Sequence, residues 1–64
     1  MIVNGKEVHL EAKVFLLDFL KKHNYDLNRI AVEKNGMIVP KKSFDTELIC
    51  NNDKIEIVNF VGGG

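Results

Sequence analysis

Tryptophan is absent from this sequence, and cysteine, proline and tyrosine occur once each. A lone cysteine, Cys50, excludes an internal disulfide and fits a reducing, cytoplasmic setting. Two histidines and one cysteine, widely spaced, make no metal site. Neither sign of charge is in excess, since nine basic residues balance nine acidic ones. No block of like charge stands out, so the sequence points to no nucleic-acid partner and no anionic membrane. Long apolar runs are missing too. The densest cluster, VFLLDFL, is interrupted by Asp18 and is far too short to span a bilayer. The N-terminus runs straight into a hairpin pattern, so no signal peptide is expected.

What is present is one small domain of 64 residues, 45% hydrophobic and 28% charged. A domain of this size buries only about 60% of the surface its unfolded chain exposes. It is too short to enclose a deep active site, so a catalytic pocket has to come mostly from another protein.

The opening, MIVNGKEVHL, is a hairpin signal. Asn4-Gly5 suits a two-residue type I′ turn, because both residues tolerate positive φ. That turn sets Val3 opposite Lys6, Ile2 opposite Glu7 and Met1 opposite Val8. Met1, Val3, Val8 and Leu10 then face inward, with Ile2, Glu7 and His9 on the other side. In AKVFLLDFLKKHN, the residues Ala12, Phe15, Leu16, Phe19, Leu20 and His23 recur at the spacing of one amphipathic helical stripe. Lys21 and Lys22 sit where a helix dipole favours positive charge. No Ser, Thr, Asp or Asn stands at the N-cap, and the helix is placed from about Val14.

Beyond the turn-rich NYDLN, the segment RIAVEK alternates, with Ile30 and Val32 on one side. Asn35-Gly36 is a second turn, followed by the short strand MIV, which Pro40 ends or keeps at a sheet edge. KKSFDTEL predicts one helical turn, with Phe44 and Leu48 plugging the core. NND is a turn and KIEIVNF the last strand. Ile55 and Ile57 point inward, and Glu56, Val58 and Phe60 outward. The order is strand, strand, helix, strand, short strand, strand. This predicts an α+β fold with one helix on a mixed sheet of four to five strands. If the first and last strands are neighbours they run parallel, with the helix in the crossover.

The hairpin, the single helix, the short strand after NG, the terminal strand and the Gly-Gly end together resemble the ubiquitin-like β-grasp fold. Within it, MIVNGKEV, AVEKNGMIVP and DKIEIVNFVGGG are similar to the ThiS family, the sulfur carriers of thiamin thiazole synthesis. The resemblance covers the whole chain. It departs at the helix start, where relatives place Thr and this chain has Val14, Phe15 and Leu16. The division implied is a β-grasp body over residues 1–60 and a flexible Gly tail over 61–64.

The resemblance implies a protein cosubstrate, not an enzyme. An E1-like adenylating protein (ThiF) uses ATP to activate the Gly64 carboxylate. A cysteine desulfurase route supplies sulfur, and the resulting thiocarboxylate passes it to thiazole synthase (ThiG). The carrier itself binds no cofactor. The residue types fit this chemistry. Glycine lacks a Cβ, so Gly62, Gly63 and Gly64 give reach with minimal bulk and let backbone approach a channel wall closely. A glycine-rich terminus is also what a frayed end looks like, but here it follows a β-forming strand with no polar spacer.

Val58, Phe60 and Val61, beside Ile2 if the first and last strands pair, predict an exposed apolar patch beside the tail, suited to docking a partner. His23 reads as a half-buried residue at a helix end, His9 as solvated, and Cys50 as a buried structural thiol. Three competing readings share the fold: a MoaD-like carrier serving molybdopterin synthase, a ubiquitin-like modifier forming amide bonds to lysines, and a β-grasp module with an inert tail.

Overall fold

Asn4 and Gly5 have φ of 50° and 82°, and Asn35 and Gly36 have 52° and 85°. These paired left-handed residues define type I′-like turns, whose twist matches that of the strands they join. The first turn links β1 (Ile2–Val3) to β2 (Lys6–Glu7), in the register expected, Ile2 with Glu7 and Val3 with Lys6. The Val8 N–H donates to the Met1 carbonyl at 2.8 Å and extends the ladder. The computed structural model describes residues 1–60.

The chain continues through β3 (Val14–Phe15), α1 (Leu16–Lys22), β4 (Ile30–Lys34), β5 (Met37–Val39), a 3-10 turn (Lys41–Ser43), β6 (Leu48–Ile49) and β7 (Lys54–Asn59). Among the described residues, five strands form one mixed sheet in the order β2-β1-β7-β4-β5. The central strand, β7, runs parallel to β1 and antiparallel to β4. β5 lies at the edge, and Pro40 follows it into the 3-10 turn. This is the α+β arrangement expected, with helix α1 on one face of the sheet.

The core lies between the two layers. Leu16, Phe19 and Leu20 of α1 are buried against Val3, Ile30, Val32, Ile55 and Ile57 of the sheet. The alternation in β4 and β7 is therefore read correctly. A seven-residue helix is marginal alone, so packing of this face supplies its stability. Its C-terminus closes as a Schellman motif. Asn24 takes φ of 61°, its N–H donates to the Lys21 carbonyl, and the Tyr25 N–H reaches the Leu20 carbonyl at 3.0 Å.

Three details differ from the sequence-based expectations. The helix begins at Leu16, not Val14, so Ala12 and Phe15 leave the stripe and are exposed. Phe15 instead pairs with Leu48 in a second, two-stranded sheet of β3 and β6. This pairing puts Ile49 in the core and leaves Leu48 44% exposed, so Phe44 and Ile49, not Leu48, plug that end. His23 is exposed, not half-buried, with its ring 4.3 Å from that of Phe19. The helix start was illegible for a physical reason: its free N–H groups bond to a distant loop, Leu16 to the Glu47 carbonyl at 2.7 Å and Leu17 to the Phe44 carbonyl at 2.8 Å.

Candidate functional site

β7 carries the chain from the middle of the sheet toward its glycine end. Its alternation buries Ile55 and Ile57 and turns Lys54, Glu56 and Val58 outward. Val58 pairs with Ala31 of β4, and Ile57 with Val32. The Phe60 N–H donates to the Arg29 carbonyl at 2.6 Å, so Phe60 stays tied to the start of β4. Val58 and Phe60 are each 54% exposed, large apolar side chains side by side at the exit of the chain. Val61, Gly62, Gly63 and Gly64 lie outside the described residues.

Ile2 is placed apart from this pair. The parallel register sets it opposite Lys54, four residues before Val58. Lys54 flanks Ile2, and Glu56 stands between Ile2 and Val58 on the outer face, 3.6 Å from Lys54 in an exposed ion pair. The expected patch is therefore two apolar points separated by a polar rib, with Val58 and Phe60 at the exit end. The loop preceding β4 surrounds that end with polar groups. The Asn28 N–H donates to Asp26 Oδ1 at 3.0 Å, Arg29 lies 3.6 Å from the Asp26 carboxylate, and Lys41 Nζ bonds Asn28 Oδ1.

The opposite pole of the sheet is a knot of hydrogen bonds. Asp53 Oδ2 accepts from the Cys50 N–H at 2.8 Å, and its Oδ1 accepts from Asn35 Nδ2 at 2.9 Å. Partial burial alone would raise the Asp53 pKa. The bonds from Asn35 and the Cys50 backbone, with the charge of Lys34, outweigh it and hold the carboxyl below its ordinary value. Lys34 Nζ donates to Glu47 Oε2 and to the Leu48 carbonyl, both at 2.8 Å. The Glu47 hydrogen bond raises the Lys34 pKa against the lowering effect of burial. Cys50 is half-buried here, not fully buried as expected, and lies in the turn that precedes β7. His9 is exposed, as expected.

Among the described residues, no three His, Cys, Asp or Glu side chains gather where they could hold a metal ion. Among the same residues, no helix is long and apolar enough to cross a membrane. What the described residues offer at this end of β7 is a pair of exposed apolar side chains, Val58 and Phe60.

The ThiS family model matches residues 1–64. Sulfur carrier protein ThiS of Bacillus subtilis is 35% identical over 63 residues, covering 97% of this chain and 96% of that protein. Uncharacterized protein ycf40 of Trieres chinensis is 39% identical over 62 residues, covering 97% of this chain and 85% of that one. A thiazole synthase of Paramagnetospirillum magneticum is 38% identical over 64 residues, all of this chain, which spans only 20% of that longer protein. Among solved structures, the crystal structure of thiamine biosynthesis protein ThiS from Geobacter metallireducens superposes with a TM-score of 0.82 at 26% identity, covering 98% of this chain and 96% of that one. The helix-on-sheet architecture is thus the ubiquitin-like fold of that protein. With the match extending over every residue of both body and glycine end, this chain belongs to the ThiS family.

Proposed function

We propose that this protein is a sulfur carrier of thiamin thiazole biosynthesis, with the Gly64 carboxylate as its working group. The body over residues 1–60 docks and residues 61–64 deliver. The observation that carries this reading is the likeness to the Bacillus subtilis sulfur carrier, which takes in 97% of this chain. The β7 geometry supports it, since Val58 and Phe60 form an exposed apolar pair at the end of β7, next in sequence to the glycine-bearing segment.

A carboxylate is a poor electrophile. Transfer of AMP from ATP to the Gly64 carboxylate releases pyrophosphate and turns one oxygen into part of a leaving group. Sulfide attack on that carbonyl expels AMP and leaves a thiocarboxylate, whose sulfur is a soft nucleophile. The adenylating partner is an E1-like protein of the ThiF type. The sulfur comes from cysteine as a desulfurase persulfide, which a thiol reductant cleaves to sulfide with formation of a disulfide, and the acceptor is thiazole synthase. The matched segment inside proteins named thiazole synthase supports that choice of acceptor.

The carrier contributes no acid, base or metal, and acts as a cosubstrate in the cytoplasm. Its part is to hold the acyl group where the partner's groups can attack, an arrangement worth about 7–11 kcal/mol of barrier when well aligned. Four residues beyond Phe60 span at most about 14 Å. Cys50 precedes β7, whose six residues cover roughly 20 Å. A relay through Cys50 of the same molecule is thus out of reach of Gly64.

Deleting Gly64, or changing Gly63→Phe, tests the reading. Sulfur loading is expected to vanish while the melting temperature stays that of the parent. Loading that persists in both variants would place the working group elsewhere.

A further inference from the structure

We infer that Asn4 is a positioning residue for the transfer at Gly64, acting through a two-point clamp on Ile57; this rests on the sulfur-carrier reading. β1 is only two residues long, and its ladder with β7 advances in steps of two. The Ile2 N–H donates to the Asp53 carbonyl at 3.1 Å, and the Asn4 N–H to the Ile55 carbonyl at 3.0 Å. The next step of a parallel ladder needs an acceptor for the Ile57 N–H and a donor for the Ile57 carbonyl. The backbone cannot supply them, because at Asn4 it turns away with φ of 50°. The Asn4 side chain supplies both. Its Oδ1 accepts from the Ile57 N–H at 2.7 Å, and its Nδ2 donates to the Ile57 carbonyl at 3.1 Å.

One amide thus replaces two rungs of the missing strand. Ile57 is also the last buried residue of β7, directly before Val58 and Phe60. Beyond it, the pairing given by β4 is completed by the Phe60 N–H bond to Arg29. The clamp fixes the other flank of β7 at the point from which Val58 and Phe60 are presented. Without it, the end of β7 is held from the β4 side alone and samples more directions. A partner that docks only one of them meets a reduced competent fraction, and apparent affinity falls by that fraction.

Asn35 provides a matched control at the other end of β7. Its Oδ1 accepts from the Lys54 N–H at 2.8 Å and its Nδ2 bonds Asp53, from an equivalent left-handed turn position. Asn4→Gly and Asn35→Gly each keep the turn conformation and delete one such pair of bonds. Asn4→Asp keeps the acceptor and turns the donor into an oxygen facing the Ile57 carbonyl, so it isolates that half of the clamp.

The experiment measures amide exchange at Ile57, and KM and kcat for loading by the adenylating partner with ATP and sulfide, below the melting temperature of every variant. Exchange at Ile57 is expected to rise about tenfold in Asn4→Gly. KM for the carrier is expected to rise roughly five- to tenfold, with kcat unchanged, in both Asn4 variants and not in Asn35→Gly. Unchanged exchange at Ile57 would overturn the clamp. Deprotection of Ile57 with an unaltered KM, or an equal KM rise in Asn35→Gly, would overturn the positioning role and leave a purely structural one. Failure of the parent protein to load would instead overturn the carrier reading itself.

Discussion

The Glu47 backbone carbonyl accepts the Leu16 N–H at 2.7 Å and so starts the helix from thirty-one positions later in the chain. The same residue's carboxylate holds Lys34 Nζ at 2.8 Å, tying helix, β4 and the loop before β6 together. The side chain and the backbone of Glu47 can be separated experimentally. Glu47→Ala keeps the carbonyl cap and removes the ion pair, and is expected to cost about 1 kcal/mol in urea denaturation. Lys34 has a raised pKa in the folded state, so its contribution is complete below the ordinary 10.5 and fades as pH rises through the folded value. The stability difference between the parent and Glu47→Ala is therefore expected to shrink at strongly alkaline pH. A difference that grows there would contradict the assignment.

Asp53 contributes to the acid limb. Its folded pKa lies below the ordinary 3.8, so the unfolded chain binds the proton first as pH falls. The stabilisation is full above that ordinary value and is lost as pH drops through the folded one. Asp53→Asn is expected to lower stability at neutral pH and to flatten the fall of the melting temperature below pH 3.8 relative to the parent. Parallel acid curves for the two proteins would show that the carboxylate is not the group responsible.

The core assignment separates two neighbours in sequence. Ile49 is buried and Leu48 is 44% exposed. Ile49→Ala is expected to cost about 2–5 kcal/mol and Leu48→Ala under about 1 kcal/mol, read from thermal unfolding. The reverse order would mean that β6 pairs with β3 one residue out of register.

On the carrier reading, a change at Phe60 is expected to affect docking without affecting folding. At 54% exposure its side chain carries little of the core, while its N–H bond to Arg29 is made by the backbone and survives substitution. Phe60→Asp is expected to leave the melting temperature within a few degrees and to weaken binding to the adenylating partner about tenfold or more, measured by calorimetry. Unfolding of this variant would show that the ring packs inward.

Much of this was legible because the signals are local. Asn-Gly pairs favour positive φ, as Asn4-Gly5 and Asn35-Gly36 both show, and the alternation of Ile55 and Ile57 or Ile30 and Val32 states which face is buried. The glycine run at 62–64 is a feature of the sequence alone and lies outside the described residues. The illegible parts depend on contacts between segments far apart in sequence. The helix start is set by carbonyls of Phe44 and Glu47, which no N-cap residue announces. Leu48 and Ile49 are equally apolar, and only their pairing with Val14 and Phe15 decides which is inside. The separation of Ile2 from Val58 follows from a parallel register that no turn fixes. The second use of Asn4, as a substitute for missing strand, arises only once β7 lies beside it.

The most direct test of the carrier claim is the intact mass of the protein after incubation with its adenylating partner, ATP and sulfide. The expected product has gained the difference between one sulfur and one oxygen, localised to the peptide ending in Gly64, and loses it on treatment that hydrolyses thiocarboxylates. An unchanged mass in the presence of a partner shown to be active, or higher-mass conjugates joined through lysine amides, would contradict the account.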